Sequence, residues 1–144
     1  MMTQTVIEVF ILIVAFQLKH YIADYILQFR IKDAIKKFDA EGWIKPLSIH
    51  AFHHFGGTFT ISTLYLGYCE FCPYSLYFWT LVMSVSILDF VAHFTIDRLK
   101  ASPNIGGRFH YPTKEYFQIM GLDQMAHHLT HYLITFALIY FSKT

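Results

Sequence analysis

The sequence from residue 6 to residue 29 reads VIEVFILIVAFQLKHYIADYILQF. This stretch is long and apolar enough to cross a membrane as a helix, because a span needs about 20 mostly apolar residues at 1.5 Å per residue. Its second half nevertheless carries His20 and Asp24, and Gln28 follows at the same spacing of four, which places all three on one helical face. Such groups are costly in a bilayer unless they face one another, a cavity or a metal. The segment therefore predicts a membrane helix with one polar stripe.

The composition of the whole chain favours a membrane protein. Of its 144 residues, 55% are hydrophobic and only 15% are charged, whereas soluble domains carry about 25% charge. The surplus apolar surface must face something other than water, and we expect the partner to be the lipid bilayer. The net charge of +1 gives no reason to expect a nucleic-acid partner. The first residues contain no basic side chain, so we expect no cleaved signal peptide and a retained first span.

Three further windows are apolar enough and long enough to cross a membrane. The second window is the weakest, because it is rich in His, Thr and Gly, although its Gly56-Gly57 pair would let a neighbouring helix approach closely. We therefore predict an all-α protein, an integral membrane four-helix bundle formed by a single transmembrane domain over residues 1–144. The predicted spans cover residues 6–29, 47–66, 74–96 and 116–141.

The basic residues set the predicted orientation. Nine of the eleven Lys and Arg residues fall in the loops after the first and third spans, namely Arg30, Lys32, Lys36, Lys37, Lys45, Arg98, Lys100, Arg108 and Lys114. By the positive-inside rule these two loops lie in the cytoplasm and both termini lie outside. The expected location is the inner (plasma) membrane, with several passes through it. The sequence sets no oligomeric state.

The polar stripe of the first span has counterparts in the other three. Each span carries two His or Asp residues four positions apart, and in the predicted orientation all of them lie roughly 5–18 Å from the cytoplasmic boundary. One shared polar site is the expected result. The candidate residues are His20, Asp24, His50, His54, His93, Asp97, Asp123 and His127.

These residue types at one level of a bundle can form a metal site. Neutral imidazole together with carboxylate suits zinc, iron, nickel or manganese, so we expect a divalent transition metal, with zinc first among them. Eight candidate ligands would also allow two ions. The alternative is a structural network in which Asp–His pairs satisfy one another across helices.

Several other polar residues lie close to these in the sequence. Asp89 and His131 extend two of the stripes, and His53, His128 and His131 are expected to support a ligand or to pack beside one. His110 lies in a basic loop and is expected to be solvated, while Lys19 is given no role. Cys69 and Cys72 form a C-x-x-C in the shortest loop, which allows either a local disulfide or two thiols.

At these residues the chain resembles a family of small bacterial and phage integral-membrane proteins known as domain of unknown function 3307. The matching segments are His20-Tyr-Ile-Ala-Asp24-Tyr-Ile-Leu-Gln28, a second span led by His50, His93-Phe-Thr-Ile-Asp97-Arg-Leu-Lys100 and Leu122-Asp123-Gln124-Met-Ala-His127. Asp89 and His53 lie outside this pattern. The family brings no activity with it, but its His and Asp arrangement is similar to that of membrane-bound metal-dependent hydrolases.

The first functional hypothesis is a membrane-embedded metal-dependent hydrolase that acts from the cytoplasmic side on a lipid-linked substrate or a phosphorylated head group. Asp97 is the candidate general base, because it lies nearest the cytoplasmic mouth, and Arg98 and Lys100 could hold an anionic head group. A transporter of divalent metal or protons is the second hypothesis, although a pathway needs polar groups through the whole membrane. The third is a non-catalytic interaction protein stabilised by a buried His/Asp network.

Overall fold

The computed structural model describes residues 2–28, 42–69 and 75–143, and of the side chains at its start it describes those from Gln4 onward. This described part of the chain is helical and contains no strand, so the predicted all-α class is confirmed. Its four helices are α1 (Met2–Tyr21), α2 (Ile44–Tyr68), α3 (Leu76–Ala101) and α4 (Lys114–Ser142). The last three extend a few residues beyond the predicted spans at the ends nearest the basic loops. Phe29 and Tyr74, which bound two of the predicted spans, lie outside the described residues.

The first helix does not end at Tyr21 but continues into a π-helical segment, Ile22–Leu27. A π-turn holds more residues per turn than an α-helix and therefore changes the direction of the side chains within it. Asp24 lies in this segment. The sequence pattern predicts a plain α-helix here, since an alternation of apolar residues carries no signal for a π-turn.

Side-chain caps fix where the third and fourth helices begin. The Ser75 hydroxyl accepts a hydrogen bond from the backbone N–H of Phe78 at 3.1 Å, and the Thr113 hydroxyl accepts one from Tyr116 at 3.3 Å. Between these helices the chain turns tightly, and a Cβ on Gly106 would collide with the backbone of Lys100. Only glycine fits this turn, which brings the end of α3 next to the start of α4.

The helices carry apolar side chains on the outside of the bundle as well as in its core. Large apolar residues on all four helices are highly exposed, for example Phe10 at 68%, Leu64 at 69%, Leu76 at 83% and Phe136 at 67%. The composition of the interior changes along the length of the bundle. The half that contains Leu12 and Leu138 has a mainly apolar core, and the other half buries His, Asp and Lys side chains.

Two helical segments are long and apolar enough to cross a membrane, Gln4–Leu27 and Leu76–Ala101. Helices α2 and α4 have the length but are more polar, because each contains three histidines. The membrane prediction is therefore supported on composition for two helices, and the four-span arrangement stays a prediction.

Candidate metal centre

The polar half of the interior is formed by the C-terminal ends of α1 and α3 and the N-terminal ends of α2 and α4. All four helices contribute to it because neighbouring helices run in opposite directions. Seven of the eight predicted ligands are buried, and Asp24 is partly exposed. The buried ones are His20, His50, His54, His93, Asp97, Asp123 and His127.

The Asp24 carboxylate lies among three imidazoles from two helices. His54 Nε2 lies 2.8 Å from Asp24 Oδ1, and His50 Nε2 lies 3.5 Å from the same oxygen. The other oxygen, Oδ2, lies 3.1 Å from Nε2 of His20 on its own helix. The π-turn thus places Asp24 where it joins α1 to α2.

A second cluster, formed by two carboxylates and one imidazole, connects α3 to α4. His127 Nε2 lies 3.4 Å from both Asp97 Oδ1 and Asp123 Oδ1. Asp97 Oδ2 also lies 3.2 Å from His50 Nε2 on α2, so this second cluster is continuous with the cluster around Asp24. At its outer edge the Lys100 ammonium donates to Asp123 Oδ2 at 2.8 Å.

The side chain of His93 is oriented by its own helix. Its Nδ1 lies 3.0 Å from the backbone carbonyl oxygen of Asp89 and 3.2 Å from that residue's carboxylate. These acceptors favour a proton on Nδ1, which leaves Nε2 with a lone pair. Nε2 is buried and has no hydrogen-bond partner among the described residues. At protein metal sites, a ligating histidine commonly donates a hydrogen bond from its other ring N–H to a carboxylate or a backbone carbonyl.

Behind His93 lies a buried ion pair that the sequence pattern did not predict. The Lys19 ammonium lies 2.6 Å from Asp89 Oδ2, donates to Thr58 at 3.3 Å and lies 3.1 Å from His131 Nε2. Thr58 in turn donates to Asp89 at 2.6 Å. The spacing of four did link Asp89 to His93 and His131 to His127. Lys19 lies about 100° around the helix from His20, so the rule for one face does not include it.

The remaining predicted residues lie at the edge of this site. The Arg98 guanidinium stacks over the Trp43 ring at 3.9 Å, and Lys100 is paired with Asp123, so both cations are at the polar end of the bundle. His53 and His128 are half-buried and His110 is exposed. The His128 ring lies 5.9 Å from that of His20. Cys72 lies outside the described residues, as do Arg30, Lys32, Lys36 and Lys37.

A groove of about 250 Å³ opens beside the Asp123 carboxylate, between the end of α3 and the start of α4. Its walls are mainly apolar and include Leu99, Ile105, Ile119 and Leu122. Lys100 and Asp123 are the charged side chains among its lining residues. The groove thus combines apolar walls with a cation and a candidate metal ligand.

Four clusters of His and Asp, three of which share residues, could hold a metal ion, with ligand atoms within 4.8 Å of one another in each. All eight predicted ligands belong to at least one of them. The clusters are His20/His54/His93, Asp24/His50/His54, Asp89/His93/His131 and Asp97/Asp123/His127.

The chain was also compared with known proteins. No family model, no curated protein and no solved structure matches it. Its function therefore has to be argued from the site itself.

Proposed function

We propose that this protein is a membrane-embedded metal-dependent hydrolase whose site opens toward the cytoplasm. The observation that carries the proposal is the convergence of five imidazoles and three carboxylates from four helices. The buried Nε2 of His93 adds to it, because this nitrogen has no protein partner in the described part of the chain. The donor set suits a divalent transition metal, and zinc fits it best.

The inverted distribution of side chains supports a four-span arrangement in a membrane. Each helix exposes large apolar residues outward while the polar groups lie inside, which is the reverse of a water-soluble bundle. This pattern includes α2 and α4, where buried polar residues such as His50, His54, His127 and His131 reduce the average hydropathy. The four helices together would place the site in the cytoplasmic half of the bilayer.

The solvent exposure of the side chains at the mouth of the site favours a catalytic site over a purely structural one. Structural zinc sites are closed, whereas catalytic sites keep an open position. Side-chain exposure rises toward the mouth of the site, from 0% for Asp89 to 17% for Asp24 and 33% for Lys100. A small molecule could therefore reach the ligands from the cytoplasmic end.

The groove between α3 and α4 supports an amphiphilic substrate. Its apolar walls suit a hydrocarbon chain, and its charged end at Lys100 suits an anionic head group. A lipid or lipid-linked molecule with a phosphorylated head group combines these two properties. Arg98, one residue past Asp97, would add positive charge at the same mouth.

A bound divalent ion would lower the pKa of a water molecule to about 7 and polarise the scissile bond. The proposed role of Asp97 is to accept the proton from the attacking water. Its Oδ1 faces His127, while its Oδ2 lies 3.2 Å from His50 Nε2 without hydrogen-bond geometry. One oxygen of Asp97 could therefore stay fixed while the other accepts a proton.

The apolar core argues against the transporter hypothesis. Beyond the ion pair of Lys19 and Asp89, the interior is mainly apolar, with side chains from all four helices that include Phe16, Leu66, Val82 and Ile134. Its buried polar groups are the hydroxyls of Ser62, Ser86 and Thr135 and the carboxylate of Glu8. A conducting pathway needs polar or hydrated groups along its whole length. Among the described residues, the buried imidazoles lie in one half of the bundle, and the other half offers separate hydroxyls and the Glu8 carboxylate.

The test begins with elemental analysis of the detergent-purified protein, wild type and variants. We expect His93→Ala and Asp97→Ala to lower the bound zinc and His110→Ala, at an exposed loop histidine, to leave it unchanged. The zinc-loaded protein is then assayed for release of phosphate from phosphatidic acid and for cleavage of 4-nitrophenyl butyrate. Asp97→Asn should lower kcat by about 100-fold or more.

Each result separates the hypotheses. Equal metal content in all variants would contradict a metal site and leave a structural network. Zinc binding without turnover of either substrate would contradict the hydrolase and favour a metal-stabilised interaction protein.

A further inference from the structure

We infer that the site holds two metal ions side by side, one bound mainly by nitrogen and the other mainly by oxygen. This inference rests on the metal-dependent function proposed above. The nitrogen cluster is defined as His20, His54 and His93, and the oxygen cluster as Asp97, Asp123 and His127. The two clusters share no residue. They use different sets of helices, α1 to α3 for the first and α3 and α4 for the second.

The number of donors exceeds what one ion can use. Zinc in proteins is almost always bound by four ligands or fewer, whereas eight candidate donors converge here. A single ion would leave about half of them unbound. Buried polar groups without a partner are costly, and more so in a bilayer than in a soluble protein. A second ion removes that cost.

Both clusters contain buried atoms that lack a hydrogen-bond partner among the described residues. In the nitrogen cluster these are both ring nitrogens of His20, Nδ1 of His54 and Nε2 of His93. In the oxygen cluster Oδ1 of Asp123 is such an atom. Because His54 and His93 are 0% exposed and Asp123 is 4% exposed, bulk water does not satisfy these atoms. One ion in either cluster would leave the other unsatisfied.

The two clusters are adjacent. The rings of His93 and His127 stack with their centroids 4.2 Å apart, which joins one cluster to the other. His50 lies between them, with Nε2 3.5 Å from Asp24 Oδ1 and 3.2 Å from Asp97 Oδ2. Two-metal hydrolases place their ions about 3.5–4 Å apart. His50 is therefore positioned to serve either ion, and Asp24, beside His20 and His54, is positioned to serve the ion of the nitrogen cluster.

The charge of such a pair defines the substrate class further. Asp89 is balanced by Lys19, so three carboxylates remain to neutralise the ions. Two divalent ions carry one more positive charge than these carboxylates offer, and Lys100 adds another at the mouth. The excess favours an anionic substrate group, such as a phosphate ester, over a neutral ester.

The stoichiometry of binding tests the inference directly. The full-length protein in detergent is stripped with a chelator, reloaded with Zn²⁺, desalted and measured for metal and protein. We expect about two zinc ions per chain in the wild type and in the controls His110→Ala and Glu8→Gln. We expect about one in His93→Ala and about one in Asp123→Ala, because each removes a ligand from a different cluster.

A measurement on the unmodified protein avoids the risk that a variant fails to fold. Loading with Mn²⁺ should give the electron paramagnetic resonance spectrum of a magnetically coupled pair. An isolated six-line spectrum at saturation, or one zinc ion per wild-type chain, would overturn the two-ion inference and leave the proposed single-metal function standing. No bound metal at all would overturn both.

Discussion

At the scale of single residues, the orientation of His93 depends on a carboxylate one helical turn away. The backbone carbonyl of Asp89 accepts from Nδ1, the Asp89 carboxylate oxygen Oδ1 lies 3.2 Å from the same nitrogen, and the Lys19 ammonium lies 2.6 Å from Oδ2. Three buried groups therefore hold one ring nitrogen toward the other candidate ligands. In the proposed site Asp89 is a positioning residue, since it would act on a bound metal through His93.

Replacing Asp89 tests this role. Asp89→Asn should weaken zinc affinity by about 10- to 100-fold, the usual cost of losing such a supporting group. Competition with a chromophoric chelator measures the affinity. Glu8→Gln is the matched control, because Glu8 is also a buried carboxylate paired with a lysine, Lys143 at 2.7 Å, at the opposite end of the bundle. Equal affinities in the two variants would contradict the role of Asp89.

The charge left on Lys19 by that substitution needs its own control. An unpaired buried charge destabilises a protein by about 3–5 kcal/mol, and global destabilisation could also weaken binding. Adding Lys19→Met to Asp89→Asn should restore the melting temperature without restoring zinc affinity. Recovery of both would mean that Asp89 acts only through stability.

Helical periodicity explains which contacts of the site are predictable. Residues four apart share a face whatever the tertiary fold, so the pairing of His20 with Asp24 and of Asp123 with His127 follows from sequence. Lys19 and Asp89 are 70 residues apart, and their contact depends on how α1 and α3 are placed relative to each other in the bundle. Periodicity sets the face of each helix but not its rotation against its neighbours. The role of the Lys19–Asp89 pair therefore required the structure.

At the scale of helices, the approach of α1 to α2 depends on Gly57. A Cβ at this position would lie 2.5 Å from Cγ of Lys19, whereas a Cβ at Gly56 would meet no atom within 4 Å. The Lys19 stem cannot move freely, because its ammonium is held by Asp89 and Thr58. The close approach of α1 therefore requires a glycine at position 57 but not at position 56.

Alanine substitutions at the two glycines should therefore have different effects on the stability of the protein. Gly57→Ala should destabilise the protein by about 1–3 kcal/mol through overpacking, and it should weaken metal binding by displacing Lys19 from Asp89. Gly56→Ala should be neutral or stabilising by up to about 1 kcal/mol, since alanine is the better helix former. Thermal unfolding in detergent compares them. Equal melting temperatures would show that α1 does not pack on Gly57.

At the scale of the whole molecule, the interior of the bundle is rich in His and Asp at one end and mainly apolar at the other. The helix order alternates direction, so the site residues late in α1 and α3 meet those early in α2 and α4. The two basic loops connect these same ends. A site that opens toward the basic loops and closes toward the termini follows from this arrangement, and the positive-inside rule would then place it on the cytoplasmic side.

The orientation of the whole bundle is the prediction on which the location of the site depends. Reporter fusions after Ala40 and Arg108, one in each basic loop, should report the cytoplasm. Fusions after Glu70 and at the C-terminus should report the outside, because those segments hold few basic residues. Two further results would contradict the model. A cytoplasmic signal at Glu70 would remove α2 or α3 as a span, and opposite signals at Ala40 and Arg108 would place the two halves of the site on different sides of the membrane, which the contact between Asp97 and His50 at 3.2 Å does not allow.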